Sequence, residues 1–449
     1  MSREAAATDW YVDAVNGLDT QAGGPVTPFK TITHALSVAL SADRIFVAPG
    51  VYDATNGEVF PLTSTSTNLQ IYGTGTPYPV ITAVGFSWPG GTADPACMRP
   101  ADGWQLGSLR FDNAGYVKTP GNPFGKIHAI YIKDLVSSFT ARTLEVIDNY
   151  WGIWIEDDAA TTHHSPRTVT LHQCTFEDQG PTRLGGIATD LGHAALMIGT
   201  EVTLTATITA CTFMNNHDGI EGGQTNSLGL PPPNDAVLVV SDCVFESNEN
   251  GLEGNDNDVT VNHCTFRTNQ RFDPNGAGGV LNPFTVALGN RAGGTLTRYV
   301  VRRCVFDRNQ IGVGILDGQD QLSGVVFDFG TSPSDAGLNT FTTDTTNPWP
   351  NNFNPSYCGV FSKNPNPVWA VGNTWTYVAG GGANNQGADT QGQYASGSTL
   401  IIGPNVNWDG SNGAPYHRPV IGGQSNVPWN HSTAPAAGSQ GGPLIVLEP

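Results

Sequence analysis

The sequence has few charged residues, and positively charged ones are the scarcest. Only 13% of its 449 residues are Asp, Glu, Lys or Arg, about half of the roughly 25% that is usual in globular proteins. Lysine and arginine total 20 and aspartate and glutamate total 39, so the formal net charge is −19 at pH 7. Such a surface repels nucleic acids and anionic membranes and attracts cations. We therefore expect no nucleic-acid partner.

Long hydrophobic runs are also absent. No segment approaches the about 20 apolar residues that a membrane-spanning helix needs, so we expect no membrane span. No secretory signal sequence is recognisable at the start of the chain. The composition is nevertheless not that of a disordered chain, because 39% of the residues are hydrophobic. Together with 55 glycines and 31 prolines, this indicates a β protein rich in turns.

Cysteine motifs of metal sites are missing, since the sequence contains no C-x-x-C pair. Five of the seven cysteines instead recur at one position of a repeat: Cys174, Cys211, Cys243, Cys264 and Cys304. We interpret them as small side chains that face the interior. A disulfide between adjacent repeats and a metal site are the alternatives. Cys97 and Cys358 lie outside the repeat, and the sequence does not predict their state.

The repeat is short and polar at its turn. The segment "CTFMNNHDGIEGG" begins at Cys211, and "CVFESNENGLEGN" begins at Cys243. A glycine lies eight residues after the first position and is followed by an aliphatic residue, as in the pairs Gly152-Ile153, Gly219-Ile220, Gly251-Leu252 and Gly312-Val313. The copies are rich in β-branched residues, Gly and Asn, and they lack a helical period, which predicts stacked β coils. Cys, Phe and Ile then face inward, and the Asn residues form a turn.

The N-terminal segment has a different pattern. Pro28 at a first helical position and an apolar stripe from Ile32 to Leu40 predict a helix over about residues 28–41. The segments Tyr11-Val12-Asp13, Gly17-Leu18-Asp19, Pro28-Phe29-Lys30-Thr31-Ile32 and Pro49-Gly50-Val51-Tyr52 resemble the N-terminal signature of the pectate-lyase-like right-handed parallel β-helix superfamily. No specific enzyme family is matched, because "GIWIEDD" (152–158) lacks the histidine of the similar segment in pectate lyases.

This resemblance implies an all-β fold, a right-handed parallel β-helix with a short N-terminal capping helix and an irregular C-terminal tail. The β-helix is expected over residues 1–375 and the Gly/Asn/Pro-rich extension over residues 376–449. The resemblance also implies a secreted or cell-surface carbohydrate-active protein, either polysaccharide lyase-like or polysaccharide-binding. Superfamilies of this kind host many activities, so whether the protein is an enzyme stays open.

Two glutamates hold the same place in the repeat. Glu221 and Glu253 each lie ten residues after a cysteine of the repeat, so adjacent coils would bring them within about 4.8 Å. Asp218 and His217 precede the first of them. Because oxygen ligands clustered in this way suit Ca²⁺, we predict that the metal ligands, if Ca²⁺ binds, are Glu221, Glu253, Asp256 and Asp258.

Insertions at 180–193, 222–235 and 271–284 are expected to form a groove on the outer face. Candidate catalytic residues are Glu221, Glu253, Asp218 and Arg271; candidate substrate-binding residues are Trp154, His217 and Arg183. In a lyase, Ca²⁺ would neutralise a uronate and an arginine would accept the C5 proton. In a glycosidase, the two glutamates would be acid and nucleophile. Solvated turn residues, or ligands of a structural Ca²⁺, are the third alternative.

The chain ends in a short apolar strand that runs from Leu444 to Leu447, after a flexible Ala/Pro/Ser/Gly segment. The strand is expected to dock on its own solenoid or to add to the edge of a neighbouring molecule. The second case predicts homo-assembly. It gives the alternative function, a non-catalytic surface or structural protein that self-assembles through its terminal strand.

Overall fold

The computed structural model describes most of the chain as far as residue 344 and short segments beyond it. The described residues are 6–86, 95–113, 127–133, 136–156, 167–179, 194–199, 204–222, 236–254, 257–269, 286–290, 298–309, 311–315, 326–332, 334–344, 358–362, 367–369, 373–378, 400–401, 420–421 and 444–445. The chain divides into two compact units. The first comprises 1–182 and 188–212, and the second comprises 183–187 and 213–449. The predicted boundary near residue 375 thus lies inside the second unit.

The described residues of the first unit form one short helix, a 3₁₀ turn (Ala54–Asn56) and many short strands. The helix α1 is Ile32–Val38. The strands are β1 Asp9–Val12, β2 Arg44–Val47, β3 Val51–Tyr52, β4 Leu62–Thr63, β5 Gln70–Gly73, β6 Val80–Ile81, β7 Ala96–Arg99, β8 Trp104–Gly107, β9 Arg110–Asp112, β10 His128–Lys133, β11 Ser138–Arg142, β12 Glu145–Ile147, β13 Trp151–Glu156, β14 Arg167–His172, β15 Thr175–Glu177, β16 Ala194–Ile198 and β17 Leu204–Thr209. The strand β18 (Thr212–Met214) contains the boundary between the units.

These strands form three parallel sheets. Sheet A has the order β1-β2-β5-β8-β11-β14-β17, sheet B has β4-β7-β10-β13-β16, and sheet C has β3-β6-β9-β12-β15. Each coil of the chain therefore contributes one strand to each sheet in turn. Pairing between successive coils is parallel throughout, as in β11 with β14 and β12 with β15. The arrangement is that of a right-handed parallel β-helix.

The second unit repeats this arrangement. Its strands are β19 Asp218–Glu221, β20 Ala236–Ser241, β21 Val244–Glu246, β22 Asn250–Glu253, β23 Asp258–Asn262, β24 Thr265–Arg267, β25 Val286–Asn290, β26 Arg298–Arg302, β27 Val305–Asp307, β28 Ile311–Ile315, β29 Val326–Asp328, β30 Gly330–Ser332, β31 Asp335–Ala336, β32 Thr340–Asp344, β33 Cys358–Ser362, β34 Pro367–Trp369, β35 Thr374–Val378, β36 Leu400–Ile401, β37 Val420–Ile421 and β38 Leu444–Ile445. Sheet D has the order β20-β23-β26-β29-β34-β37, sheet E has β19-β22-β25-β28-β33, and sheet F has β21-β24-β27-β32-β35. Two pairs, β30 with β31 and β36 with β38, are antiparallel.

The repeated phenylalanines face the interior, as the sequence predicts, whereas the asparagines of the turn are buried as well, which the sequence did not predict. In the second unit Phe245 and Phe266 are fully buried, and their ring centroids are 4.7 Å apart at an interplanar angle of 5°. The amide of Asn216 donates to the side-chain oxygen of Asn248 at 2.9 Å, and Asn248 donates to Asn269 at 3.0 Å. Since these side chains satisfy one another in the interior, the polar turn carries no desolvation penalty. The inward ladders are confirmed.

Two positions of the repeat are set by the backbone conformation: the residue before the asparagine and the glycine. The residues before the stacked asparagines Asn216 and Asn248 lie in the left-handed region, with φ of 57° at Asn215 and 55° at Ser247. The repeated glycine permits close stacking of coils, because a Cβ on Gly219 would lie 2.4 Å from the carbonyl oxygen of Gly251. The six cysteines whose side chains the structure describes are buried free thiols. The side chain of Cys358 is outside the described part.

The N-terminal helix is shorter than predicted, and its start is different. It runs from Ile32 to Val38 rather than over 28–41, and Pro28 precedes it in an extended segment. Thr31 is the N-cap residue, and its hydroxyl accepts a hydrogen bond from the backbone N–H of His34 at 3.0 Å. The Thr31 cap sets the start, which the proline pattern does not reveal.

A buried carboxylate completes this helix start, and it gives a first prediction. Glu58, 3% exposed, accepts hydrogen bonds from the backbone N–H groups of Ile32 at 2.7 Å and Thr33 at 2.9 Å. Replacing Glu58 by alanine should lower the free energy of unfolding by about 2 kcal/mol or more, because two helix donors lose their partner. Urea denaturation measures the loss. Glu58→Gln retains one acceptor, so its free energy of unfolding should fall by less. Equal stability of the wild type, Glu58→Ala and Glu58→Gln would contradict this role of Glu58.

Candidate functional site

Two glutamates lie side by side on the outer face of sheet E. Glu221 on β19 and Glu253 on β22 are register partners, as are Ile220 and Leu252. Both aliphatic residues are 0% exposed and belong to the core. Because side chains alternate along a strand, the two glutamates point away from that core, about 4.8 Å apart at the backbone. The predicted pairing of Glu221 with Glu253 is thus present.

These outward glutamates are nevertheless almost inaccessible to solvent. Glu221 is 2% exposed and Glu253 is 1% exposed. Glutamate is one of the residues least often buried in proteins, and burying a carboxylate costs free energy that its surroundings must offset. Two such groups on adjacent strands are therefore an unusual feature of this sheet.

A hydrogen-bonded group of charged residues adjoins the pair. The Nδ1 atom of His217 is 2.8 Å from Oδ2 of Asp218, and its Nε2 atom is 3.5 Å from a carboxylate oxygen of Glu249. The side-chain amide of Asn250 donates to the other oxygen of Asp218 at 2.6 Å. Asp218 is 3% exposed, so its two oxygens are engaged within the protein. This arrangement suits Asp218 to hold the imidazole in place; its predicted catalytic role stays a prediction.

The charge of His217 follows from these contacts. Burial by itself would lower the pKa of the imidazole, but the charges of Asp218 and Glu249, the hydrogen bond with Asp218 and the charge of Glu221 raise the pKa to about 10. His217 is therefore an imidazolium at neutral pH. It places one positive charge beside the acidic residues of sheet E.

This pKa predicts a pH dependence of stability. The pKa of His217 in the folded protein, about 10, is above its ordinary value of 6.5, so its stabilising contribution is complete below the ordinary value and is lost as the pH rises through the folded one. Melting temperatures of wild type and His217→Gln, measured across that range, should differ most at the acidic end and converge at the alkaline end. A difference that does not change with pH would contradict the assignment.

The predicted Ca²⁺ ligands are only partly brought together. Asp258 lies in β23 of sheet D, is exposed, and accepts a hydrogen bond from the backbone N–H of Arg298 at 2.9 Å. It is thus on a different sheet from Glu221 and Glu253, since the chain turns a corner before β23. Asp256 lies outside the described residues. Within the described segments, no group of three or more His, Cys, Asp or Glu is placed to hold a metal ion. Ca²⁺, which takes six to eight oxygen ligands, stays a prediction.

Trp154 belongs to an aromatic cluster in the first unit. It lies on the outer face of sheet B, in register with Tyr131 of β10 and Met197 of β16. Its ring centroid is 4.6 Å from that of His128, 5.6 Å from Tyr131 and 5.3 Å from Trp151. His128 and Tyr131 are 1% exposed and Trp151 is 8% exposed, so these three rings are buried and Trp154 is the partly exposed member of the cluster. The predicted role of Trp154 in substrate binding stays a prediction. Trp154 is a residue that the repeat identifies, but His128 and Tyr131 are not, because "IHAIYI" (127–132) carries no copy of the repeat motif.

Several predicted features fall outside the described residues. They are Arg183, Arg271 and the three insertions that were expected to form a groove. The terminal strand is described over Leu444–Ile445, where it pairs antiparallel with β36 of the same chain. Its predicted part in homo-assembly stays a prediction. Among the described residues, no helix is long and apolar enough to cross a membrane.

Comparisons with known proteins give no identity narrower than the fold described above. Residues 15–84 match the model of a family described as a protein of unknown function, DUF1565. No curated protein matches the chain at a significant level. Among solved structures, the chain is similar to pectate lyase Pel9A, with 15% identity over 84% of this chain and 77% of that chain and a TM-score of 0.41. It is also similar to a rhamnogalacturonan lyase, with 15% identity over 84% of this chain and 83% of that chain and a TM-score of 0.37. A third similar structure is the lacto-N-biosidase of Eubacterium ramulus, with 12% identity over 71% of this chain and 66% of that chain and a TM-score of 0.35.

The match thus spans 66% of the lacto-N-biosidase chain, just under two thirds of it. At these identities the similarity concerns the fold alone. The parallel sheets of both units have the architecture that the N-terminal signature predicts. The resemblance to the pectate-lyase-like parallel β-helix superfamily is therefore confirmed as a fold, and no specific family within it is indicated.

Proposed function

We propose that the protein binds a polysaccharide on the outer face of sheet E and cleaves it there, with Glu221 and Glu253 as the reacting pair. The observation that carries this proposal is their register match on adjacent strands, together with their burial on the face opposite the core. A glutamate on the outer face of a strand would normally stay solvated. We also propose that the protein is secreted or held at the cell surface, where it would meet such a polymer.

The pair suits cleavage of a glycosidic bond by two carboxyl groups. One carboxylic acid protonates the departing sugar oxygen, and the other group, as a carboxylate, attacks the sugar or activates water. The two groups lie about 5–5.5 Å apart in retaining enzymes, which is close to the strand spacing of about 4.8 Å.

His217 favours a second candidate, a lyase-like reaction on a uronic-acid polymer. The chain as a whole, at −19, opposes an acidic polymer. The imidazolium of His217 offsets part of the negative charge of Asp218, Glu249 and Glu221, and a bound cation would be needed beside it to hold a sugar carboxylate there. A neighbouring base would then accept the C5 proton while the glycosidic oxygen departs. Arg271, the base predicted from the sequence, and Ca²⁺ belong to this candidate.

A panel assay tests the proposal. The protein would be incubated with pectate, alginate, other uronans and neutral glycans, with Ca²⁺ and with EDTA. New reducing ends without ultraviolet-absorbing unsaturated ends support hydrolysis, and unsaturated ends support the lyase-like candidate. If no polymer on the panel is cleaved, the catalytic proposal fails. The non-catalytic alternative, with assembly through the strand from Leu444 to Leu447, then becomes the better account, and sedimentation of a chain truncated after residue 432 would test it.

A further inference from the structure

The outer face of sheet A, in the first unit, carries a row of aromatic side chains that the proposed reaction does not use. Tyr11, Phe46 and Tyr72 are register partners on β1, β2 and β5. The ring centroids of Tyr11 and Phe46 are 5.3 Å apart, and those of Phe46 and Tyr72 are 6.5 Å apart. All three rings are only partly buried, whereas their strand neighbours Val12 and Ile71 lie in the core. The row therefore faces solvent.

A glycine lets the last ring of the row lie against the sheet. Gly107 on β8 is the register partner of Tyr72. A Cβ at Gly107 would lie 2.8 Å from Cδ1 and 3.1 Å from Cε1 of the Tyr72 ring, so any larger residue would displace the ring. Tyr72 thus leans across the next strand and covers the backbone of Gly107, which is buried. A ring that rests on backbone in this way turns its other face outward.

Planar amides lie beside this ring. Gln70 and Gln105 are register partners on the adjacent outward row of sheet A, and the hydroxyl of Tyr72 is 3.4 Å from the side-chain oxygen of each. Gln105 is exposed. An amide offers both donors and an acceptor, which is the complement of the vicinal hydroxyl groups of a sugar.

The charges at the Tyr11–Phe46 end of the row cancel each other, whereas the exposed Arg142, the register partner of Gly107, adds a positive charge beyond its other end. Arg44 donates to both carboxylate oxygens of Asp9, at 2.6 and 2.9 Å, and its guanidinium lies 5.7 Å from the ring centroid of Phe46. The Arg44–Asp9 pair has no net charge, and the whole chain carries −19. A polyanion would therefore gain nothing here and would be repelled at longer range. The charge distribution suits a neutral ligand.

We propose that the row of Tyr11, Phe46 and Tyr72 is a second, non-catalytic binding surface for a neutral polysaccharide chain. The rings of Tyr11 and Phe46 stack on each other at 5.3 Å and 28°, so one sugar ring packs on the exposed edge of that pair. The next sugar ring packs on the outward face of Tyr72, whose centroid is 6.5 Å from that of Phe46. Gln70 and Gln105 bind hydroxyl groups at the edge of the sugar. This inference does not depend on the reaction proposed at sheet E, because a protein without activity would still bind.

Affinity electrophoresis tests the proposal. The full chain would be run through gels that contain hydroxyethylcellulose, neutral xylan or polygalacturonate. At least one neutral glycan should retard the wild type. The double variant Phe46→Thr/Tyr72→Thr should bind it at least about tenfold more weakly, since two aromatic contacts are lost. Threonine is chosen because it suits a strand and already occupies outward positions of sheet A, such as Thr170.

Controls separate binding from folding. Gln105→Ala changes an exposed side chain and should weaken binding about threefold without lowering the melting temperature. Thr170→Ala, elsewhere on the same sheet, should bind like the wild type. The proposal would be overturned if polygalacturonate alone, or no neutral glycan, retarded the wild type. It would also be overturned if the wild type and the double variant were retarded equally. Sedimentation that shows a wild-type dimer dissociated by the double variant would also overturn it, because the row would then bind a second copy of the chain.

Discussion

Replacing Glu221 or Glu253 by glutamine should reduce the turnover of the polysaccharide that the protein cleaves by at least about 100-fold, since a positioned acid or base contributes 10²–10⁴-fold. Glutamine keeps the size of the side chain and a hydrogen-bonding group but cannot transfer a proton or attack a sugar. Each glutamate takes one of the two roles, so either substitution alone should suffice. Initial rates at saturating polysaccharide measure the effect.

A matched glutamate serves as the control for these two variants. Glu246 also points outward from a short strand of the second unit, but it lies in sheet F and is paired with Arg267 at 2.5 Å. Glu246→Gln should leave turnover within about twofold of the wild type, because an exposed ion pair contributes little. Full activity of Glu221→Gln or of Glu253→Gln would contradict the proposal that the two glutamates are the reacting pair. An equal loss of turnover in these two variants and in Glu246→Gln would contradict it as well.

The second large effect concerns stability. Phe245→Ala should lower the free energy of unfolding by about 3–5 kcal/mol, the range for truncating a buried phenylalanine. The Phe245 ring is fully buried and stacks on Phe213 at a centroid distance of 4.8 Å and on Phe266 at 4.7 Å. Removing it opens a cavity between two rings that strand pairing holds at a fixed spacing, so the neighbours cannot collapse into it. Urea denaturation followed by circular dichroism measures the change.

Sheet F, which contains Phe245, also provides the control for this substitution. Val305 lies in sheet F next to the buried Phe306 but is 39% exposed. Val305→Ala should cost less than about 0.5 kcal/mol, as is usual for a surface position. If Phe245→Ala were as mild as Val305→Ala, the stacked phenylalanines would not be the main stabilising element of these coils.

The repeat allowed the interior of the coils to be predicted with its residues. Cys, Phe and the aliphatic residue after the glycine recur at fixed offsets, and each offset corresponds to an inward position, as Phe245 and Leu252 show. The register match of Glu221 with Glu253 follows from the same offsets. A solenoid makes such inference possible because equivalent positions of adjacent copies must stack.

Predictions from the sequence were wrong or missing at positions to which the repeat does not extend. Asp258 lies only five residues after Glu253 but belongs to another sheet, since a corner of the coil separates them. The helix start depends on Thr31 and on the distant Glu58, and a local pattern does not reveal a partner from elsewhere in the chain. His128 and Tyr131 join Trp154 through strand pairing alone, without a shared motif. Contacts between non-repeating segments therefore required the structure.

The most direct test of the central claim is a crystal structure of the Glu221→Gln variant with an oligosaccharide of the polymer that the wild type cleaves. The account predicts a sugar chain across the outer face of sheet E, with a glycosidic oxygen within hydrogen-bond reach, about 2.6–3.2 Å, of the Glu253 carboxyl group. A sugar chain bound elsewhere, with neither residue 221 nor residue 253 within reach of it, would contradict the claim.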